Sequence, residues 1–149
     1  MAAMSKQEIR RFLMQGTFTG KLATVRKEGD SHVVPIWFVV DDGTGKREIG
    51  DIVFTTGSES TKAKNIRLDK RVSICVDDQR LLFSFVTIFG VAELSRYRQR
   101  EVRKWATKIA ERYMGKSKAE TYGKRNSGEG EVLVRIMPTR IIAEKDIAA

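Results

Sequence analysis

At 149 residues with 41% apolar content, the chain is long enough for one compact domain that buries about two thirds of its unfolded surface, and too short for a second independent core. A formal charge of +9 attracts anions without choosing among nucleic acid, an acidic membrane and a phosphorylated small molecule. One cysteine, Cys75, excludes an internal disulfide and points to a reducing, cytoplasmic setting. Residues 1–11 hold no apolar core of signal-peptide length and no run of eighteen apolar residues occurs, so a soluble protein is expected.

Ser5 followed by Glu8 is a capping-box pattern, and Ile9, Phe12 and Leu13 then recur at helical spacing, which predicts a short amphipathic helix. Gly20 to Lys27 alternates as a strand. After the turn signal Glu28-Gly29-Asp30, Ser31 to Asp41 is almost continuously apolar and reads as its hairpin partner. Pro35 removes a ladder donor, so that point is a sheet edge, a bulge or a place where a ligand meets the backbone. Asp41 to Glu48 carries turn chemistry and reads as a surface hairpin loop. Its Gly43-Thr44-Gly45 lacks the full dinucleotide-loop spacing, and no helix pattern follows.

Ile52 to Val76 is the most informative stretch: an apolar strand, a hydroxyl-rich turn, a short basic helix and a second apolar strand in immediate succession. Thr55, Thr56, Ser58 and Ser60 supply hydroxyls, a helix start supplies unpaired N–H groups, and Lys62 and Lys64 add charge. This is a candidate phosphate cradle; the alternative is a connector whose lysines face water. Val72 to Asp77 is the second strand, with Cys75 read as a small buried thiol.

Arg80 to Leu94 reads as one long strand of the kind that wraps a barrel, with a bend or bulge at Gly90. Tyr97 to Met114 places Val102, Trp105, Ala106, Ile109, Ala110 and Tyr113 on one helical face and Arg98, Arg100, Arg103, Lys104, Lys108 and Arg112 on the other. Packing on a core is the reading set first for that helix; a membrane-surface or nucleic-acid role stands as the alternative. Lys116 to Glu131 reads as a mobile loop, either a lid over the pocket or simply disordered, and strand signals follow on either side of Pro138. The sum is a mainly β protein: a closed or split antiparallel barrel of six or seven strands with two or three helices, preferred over a doubly wound sheet.

No Ser–His–Asp set, Cys–His pair or metal-ligand spacing is present. His32, the one histidine, reads as structural or exposed. Phe83, Phe85, Phe89, Trp105 and Tyr113 are candidates for the wall of a substrate pocket, although most of them must build the core.

The succession Phe54-Thr55-Thr56, Ser60-Thr61-Lys62-Ala63-Lys64-Asn65-Ile66, Asp69-Lys70-Arg71-Val72-Ser73 and Gly90-Val91-Ala92-Glu93-Leu94 resembles that of the pyridoxamine-phosphate-oxidase-like family. That resemblance implies an FMN-binding type of split β-barrel spanning residues 1–149, a homodimer with a flavin or deazaflavin at the subunit interface. By position, Lys62 would pair with the cofactor phosphate, Thr55, Thr56, Ser60 and Lys64 would complete the cradle, and Pro35, Ile36 and Trp37 would run along the ring. By its strand position alone Trp37 reads as a core aromatic ahead of a ring contact. Asn65 is expected to fasten the short helix to a neighbour.

Departures from the oxidase pattern are Thr61 and Pro35 where the oxidase has arginines, and a missing glutamine near Phe85. Pyridoxine-phosphate oxidation is therefore not expected. The short length, the Pro-Ile-Trp-Phe strand and the Ser-x-Lys-Ala-x-Asn segment are more similar to the branch that uses coenzyme F420, a deazaflavin whose phosphate carries a lactyl-oligoglutamate tail. Lys64, Arg67, Lys70 and Arg71 are candidates for that tail. The function so implied is hydride transfer from reduced F420 to a small organic substrate, with no nucleic-acid or membrane partner. The alternatives are an FMN-dependent oxidase or flavin reductase on the same barrel, or a flavin or haem carrier without turnover.

Overall fold

A computed structural model describes residues 2–43, 49–95 and 98–149. Helix α1 (Lys6–Leu13) starts on the expected capping box: Ser5 Oγ accepts from Glu8 N, and the Glu8 carboxylate accepts from Ser5 N. Its buried Ile9, Phe12 and Leu13 plug one end of the main core. Strands β2 (Gly20–Val25), β3 (Ser31–Ile36), β4 (Val39–Asp41), β5 (Asp51–Gly57), β6 (Arg71–Asp78), β7 (Ser84–Ser95) and β8 (Glu131–Lys145) form one antiparallel sheet in the order β3-β2-β6-β7-β8-β5-β4, with the two-residue β1 (Ala2–Ala3) pairing beside β8.

The two ends of that order are consecutive in the chain. β3 ends at Ile36 and β4 begins at Val39, so two residues, Trp37 and Phe38, join opposite edges of the sheet. The sheet must therefore curl until its edges meet, without a ladder between them. This is a split barrel, as the sequence predicts. Leu22, Ile36, Phe38, Ile52, Phe54, Ile74, Val86, Ile88, Val134 and Ile136 fill its interior.

Helix α2 (Thr61–Leu68) connects β5 to β6, and Asn65 fastens it as expected, its buried amide donating to Thr24 Oγ1 at 3.0 Å. Helix α3 (Gln99–Met114) lays its apolar stripe on the outside of the barrel. Val102, Trp105 and Ile109 pack there on Val39, Val53 and Leu133. β5 is thus buried on both faces, which explains its apolar run Ile52-Val53-Phe54. The packing reading of the basic helix holds: Lys104 and Lys108 lie over the Trp105 ring at 5.4 and 4.6 Å.

Several expectations are corrected. Ser31 to Asp41 is not one strand but β3 and β4, because its apolar residues face two different layers. The long strand begins at Ser84 rather than Arg80: Asp78 Oδ1 accepts the Arg80 N–H at 2.9 Å, an Asx-type turn, and Phe83 has φ 68°. The two strand signals around Pro138 are one strand. Its register shifts opposite Phe89 and Gly90, and Thr139 Oγ1 donates to the Phe89 carbonyl across the irregularity. A Cβ on Gly90 would stand 2.6 Å from the Met137 carbonyl oxygen, so the bulge expected at that glycine is present and requires it.

Lys116–Arg125 is helix α4, not a loop. Its sequence is polar with a weak apolar stripe, but Gly123 lets it approach α3 so closely that a Cβ would meet Thr107 Oγ1 at 2.2 Å and Thr107 Cα at 2.8 Å. Helices of marginal propensity form when tertiary packing supports them. Cys75 is half-exposed on the outer face of β6, since Val72, Ile74 and Val76 take the inner positions. Among the described residues, the strand split, the merger around Pro138, β1 and α4 together give eight strands and four helices where six or seven and two or three were expected. The hairpin loop expected from Asp41 to Glu48, with Gly43-Thr44-Gly45, lies mostly outside the described residues, as does Tyr97, the expected start of the basic helix.

The closing corner is held by the end of α3. Arg112 donates to the carbonyls of Leu13 and Phe38, both at 2.7 Å, and to that of Gly16 at 3.0 Å. Tyr113 Oη donates to Phe18 O at 2.7 Å and accepts from Phe38 N at 3.2 Å. Burial lowers the Arg112 pKa from its ordinary value. Replacing Arg112 by Met strands three carbonyls, and loss of charge-assisted bonds to partly buried groups costs about 2 kcal/mol or more. We expect Arg112→Met to lower the urea midpoint accordingly at an unchanged denaturant slope; a midpoint within error of the parent would show the corner holds without it.

Candidate functional site

The break between β3 and β4 leaves Pro35, Ile36 and Trp37 beside the end of β5 and the start of α2. Together with Ile109 of α3, Asn126 after α4 and Glu131 at the start of β8, they enclose a cavity of about 350 Å³ lined also by Thr55, Thr56, Gly57 and Lys62. Six of the eight residues predicted for the site thus share one cavity: Pro35, Ile36, Trp37, Thr55, Thr56 and Lys62.

Ser60 and Lys64 do not line it. Ser60 is the N-cap of α2, its Oγ accepting from Ala63 N at 3.2 Å and from the Thr56 hydroxyl at 3.0 Å. Its contribution is to set the helix start and to hold Thr56. Lys64, two positions beyond Lys62 and so on another face of the helix, is exposed and pairs with Glu59 at 3.8 Å. The further cations considered for an anionic tail are largely engaged: Arg71 pairs with Asp69, holding that carboxyl at about 2, and Arg67 donates to the Ser58 carbonyl at 2.6 Å.

Lys62 differs from these. It is half-buried, and its ammonium has neither a hydrogen bond nor an ion pair among the described residues. Burial pushes its ammonium below the ordinary lysine range, and the nearby charge of Glu131 opposes that shift only in part. Glu131 shows the reciprocal effect, raised by burial and partly restrained by Lys62. Desolvated charges without a direct partner are costly, and such groups gather at binding sites. Gly57 adds room, since a Cβ there would meet nothing within 4 Å. An ammonium lacking a partner, threonine hydroxyls and the first N–H groups of a helix make a donor set that fits a phosphate.

Trp37 is not a core aromatic. It is 37% exposed, and one face of its indole stacks on Tyr113 with centroids 5.0 Å apart and planes 3° from parallel. Tyr113 therefore supports the cavity from behind. Trp105 is in the α3 core, Phe89 lies on the outer sheet face and Phe83 is in the turn before β7. Neither these nor Phe85 line the cavity. His32 is half-buried on β3 with Nδ1 buried and lacking a hydrogen-bond partner among the described residues, and it does not line the cavity either.

Sequence reasoning missed Asn126, Glu131, Gly57 and Ile109. Glu131 pairs in register with Gly57 across β8 and β5, a contact between residues far apart in the chain. The one local signal was the Gly-Glu-Gly-Glu run that starts β8.

The family model described as pyridoxamine 5'-phosphate oxidase matches residues 5–144. Among solved structures, a conserved hypothetical protein of Mycobacterium tuberculosis is 28% identical with a TM-score of 0.80, covering 97% of this chain and 87% of that one. An F420 reductase is 23% identical with a TM-score of 0.69, over 88% of this chain and 94% of the other. A FAD-binding protein of Mesorhizobium loti is 18% identical with a TM-score of 0.69, over 95% of each chain. The latter two show the shared fold. No curated protein matches the sequence.

Removing the Lys62 ammonium should separate binding from stability. Loss of a charge-assisted contact lowers affinity for a phosphate ester about 10- to 100-fold, whereas the melting temperature of Lys62→Met stays level or rises, because a desolvated charge is gone. Calorimetric titration and thermal scans of the two proteins check both halves.

Proposed function

The chain belongs to the pyridoxamine 5'-phosphate oxidase family, and from that premise we propose that it is an oxidoreductase that uses the reduced deazaflavin coenzyme F420 to deliver hydride to a small organic substrate. The observation that carries this reading is the position of Lys62: a half-buried ammonium without a partner, at the mouth of a short helix, in the same cavity as Thr55, Thr56 and the exposed side of Trp37. When bound, the deazaflavin supplies the hydride chemistry. The chain supplies position and exclusion of water.

Lys62 and Thr55 hold the phosphate end, and Thr56, its hydroxyl given to Ser60, shapes the wall beside them. Pro35, Ile36 and Trp37 border the ring, and the Tyr113 stack keeps the indole in one orientation. Pro35 has no N–H and lies on the outermost strand of the sheet order, so the edge at that point carries one donor fewer and is better suited to an apolar ring surface. Lys62 and Glu131 are the titratable groups among the described residues lining the cavity. Neither is arranged as a nucleophile with its base, which agrees with chemistry performed by a bound cofactor. Thr61, uncharged beside Lys62, favours F420 over FMN, because a monoester phosphate calls for more positive charge than one lysine.

A homodimer with the cofactor at its interface completes the proposal. The outer face of β2, β6 and β7 carries a broad hollow of about 560 Å³ lined by Ala23, Val25, Val91 and the exposed Phe89, with Val33 61% exposed on the neighbouring strand. An apolar sheet face of this kind suits a second copy of the chain. No helix among the described residues is long and apolar enough to cross a membrane, and we assign the cytoplasm as the setting.

Fluorescence titration ranks the cofactors: F420 is expected to bind more tightly than FMN, with Trp37→Ala weakening F420 about three- to tenfold through lost ring contact. Absence of binding by either cofactor overturns the reading. Sedimentation should find a species of twice the 16.9 kDa chain mass, shifted toward monomer by Phe89→Glu; a parent protein that sediments as a monomer removes the dimer.

A further inference from the structure

We infer that this cavity selects a phosphodiester over a phosphomonoester, and that Glu131 is the residue imposing the choice; the inference rests on the cofactor reading above and deepens it. The carboxylate belongs to the first residue of β8. Its backbone is fixed on both sides of the strand pairing: Glu131 is in register with Gly57, the Ser58 N–H donates to the Gly130 carbonyl at 2.7 Å, and the Glu131 N–H donates to Gly128 O at 3.1 Å. The side chain is thereby set into the wall of the cavity that also contains Lys62, Thr55 and Thr56.

No side-chain hydrogen bond or ion pair joins the Glu131 carboxylate to Lys62 or to any other described residue. The acid is therefore not there to neutralise the lysine by contact. Each nevertheless feels the other's charge. An anion held by Lys62 meets one positive charge and, in the same cavity, one negative charge.

The count of charges decides which anion fits. A phosphodiester carries a single negative charge, which Lys62 balances, while the Thr55 hydroxyl and the first N–H groups of α2 can donate to its free oxygens; the Thr56 hydroxyl is already given to Ser60. A phosphomonoester carries close to two near neutral pH, since its second proton leaves with a pKa of about 6. Its second charge finds no cation among the described lining residues and is repelled by Glu131. Other charged groups on the surrounding elements are committed elsewhere: Lys64 to Glu59, Arg67 to the Ser58 carbonyl, Lys108 over Trp105 and Arg112 to three carbonyls at the corner. Lys124, Arg125 and Glu129 are exposed outside the cavity. Lowering the pH protonates both the monoester and Glu131, so the discrimination has to fade in acid.

Two matched pairs test this on the full chain: riboflavin 5'-phosphate against its methyl ester, and the corresponding deazaflavin phosphate against its methyl ester, each by fluorescence titration. Within a pair the ring and the polyol are identical, and the charge on the phosphate is the principal difference. At about pH 8 the methyl ester is expected to bind about tenfold more tightly, and at about pH 5 the two should lie within about threefold. Glu131→Gln should narrow the gap at about pH 8 to about threefold, chiefly by improving the monoester, and Glu131→Asp should keep most of it. Equal or tighter binding of the monoester to the parent at about pH 8, or a gap unchanged in Glu131→Gln, overturns the inference alone. Failure of all four compounds to bind overturns the cofactor reading, and this inference with it.

Discussion

The architecture depends on one corner. A sheet whose first and last strands are separated by only two residues has to roll up, and the place where it closes has no ladder to satisfy its backbone. Phe38 illustrates the difficulty: its side chain is fully buried in the barrel, while its N–H and carbonyl sit between two strand edges. Arg112 and Tyr113, consecutive on α3, answer both groups and reach three further carbonyls on the segment after α1. One turn of helix thus ties the first helix, the strand break and the outer layer together. A guanidinium can do this because its donors fan out in a plane.

The same corner makes the cavity. Had β3 run on into β4 as one strand, Trp37 would lie within a ladder and the ends of β3 and β5 would have no gap between them. The break turns Trp37 out, Tyr113 stacks behind it, and the apolar side of the cavity is complete. Its polar side comes from the strand-to-helix passage of β5 into α2, where Ser60 caps the helix and leaves Lys62 pointing to the cavity. Structural and binding roles are divided between residues only two positions apart.

Lys62 and Glu131 also show how a site can be held at some cost to the fold. Both are partly desolvated and neither has a contact partner, an arrangement that packing alone would not favour. Both line the one cavity without touching each other. The asymmetry of one lysine against one carboxylate gives the cavity a preference that a pair of cations would not have.

Much of this was legible in the sequence because it depends on near neighbours. The capping box at Ser5, the helix start at Ser60, the stripe of α3 and the bulge glycine at Gly90 each follow from residues within a few positions. The passage from Phe54 to Val72 brings Thr55, Thr56 and Lys62 to one cavity, since a strand, a turn and a helix fix their relative positions locally. Lys64 was drawn in by charge alone; helical geometry separates it from Lys62.

Local patterns could not reveal α4, because its stability comes from Gly123 meeting Thr107 on another helix. Nor could they divide 31–41 into two strands, since burial against the barrel interior and burial under α3 look alike in a run of apolar residues. Glu131 enters the cavity through pairing with Gly57, across 74 positions of chain. The sequence by itself determined helices α1 to α3, most of the strands, the barrel class and the lysine-bearing turn, all set by short-range propensity and periodicity. Only the tertiary structure decided which charges face one another, because that depends on strand pairing between residues remote in the chain.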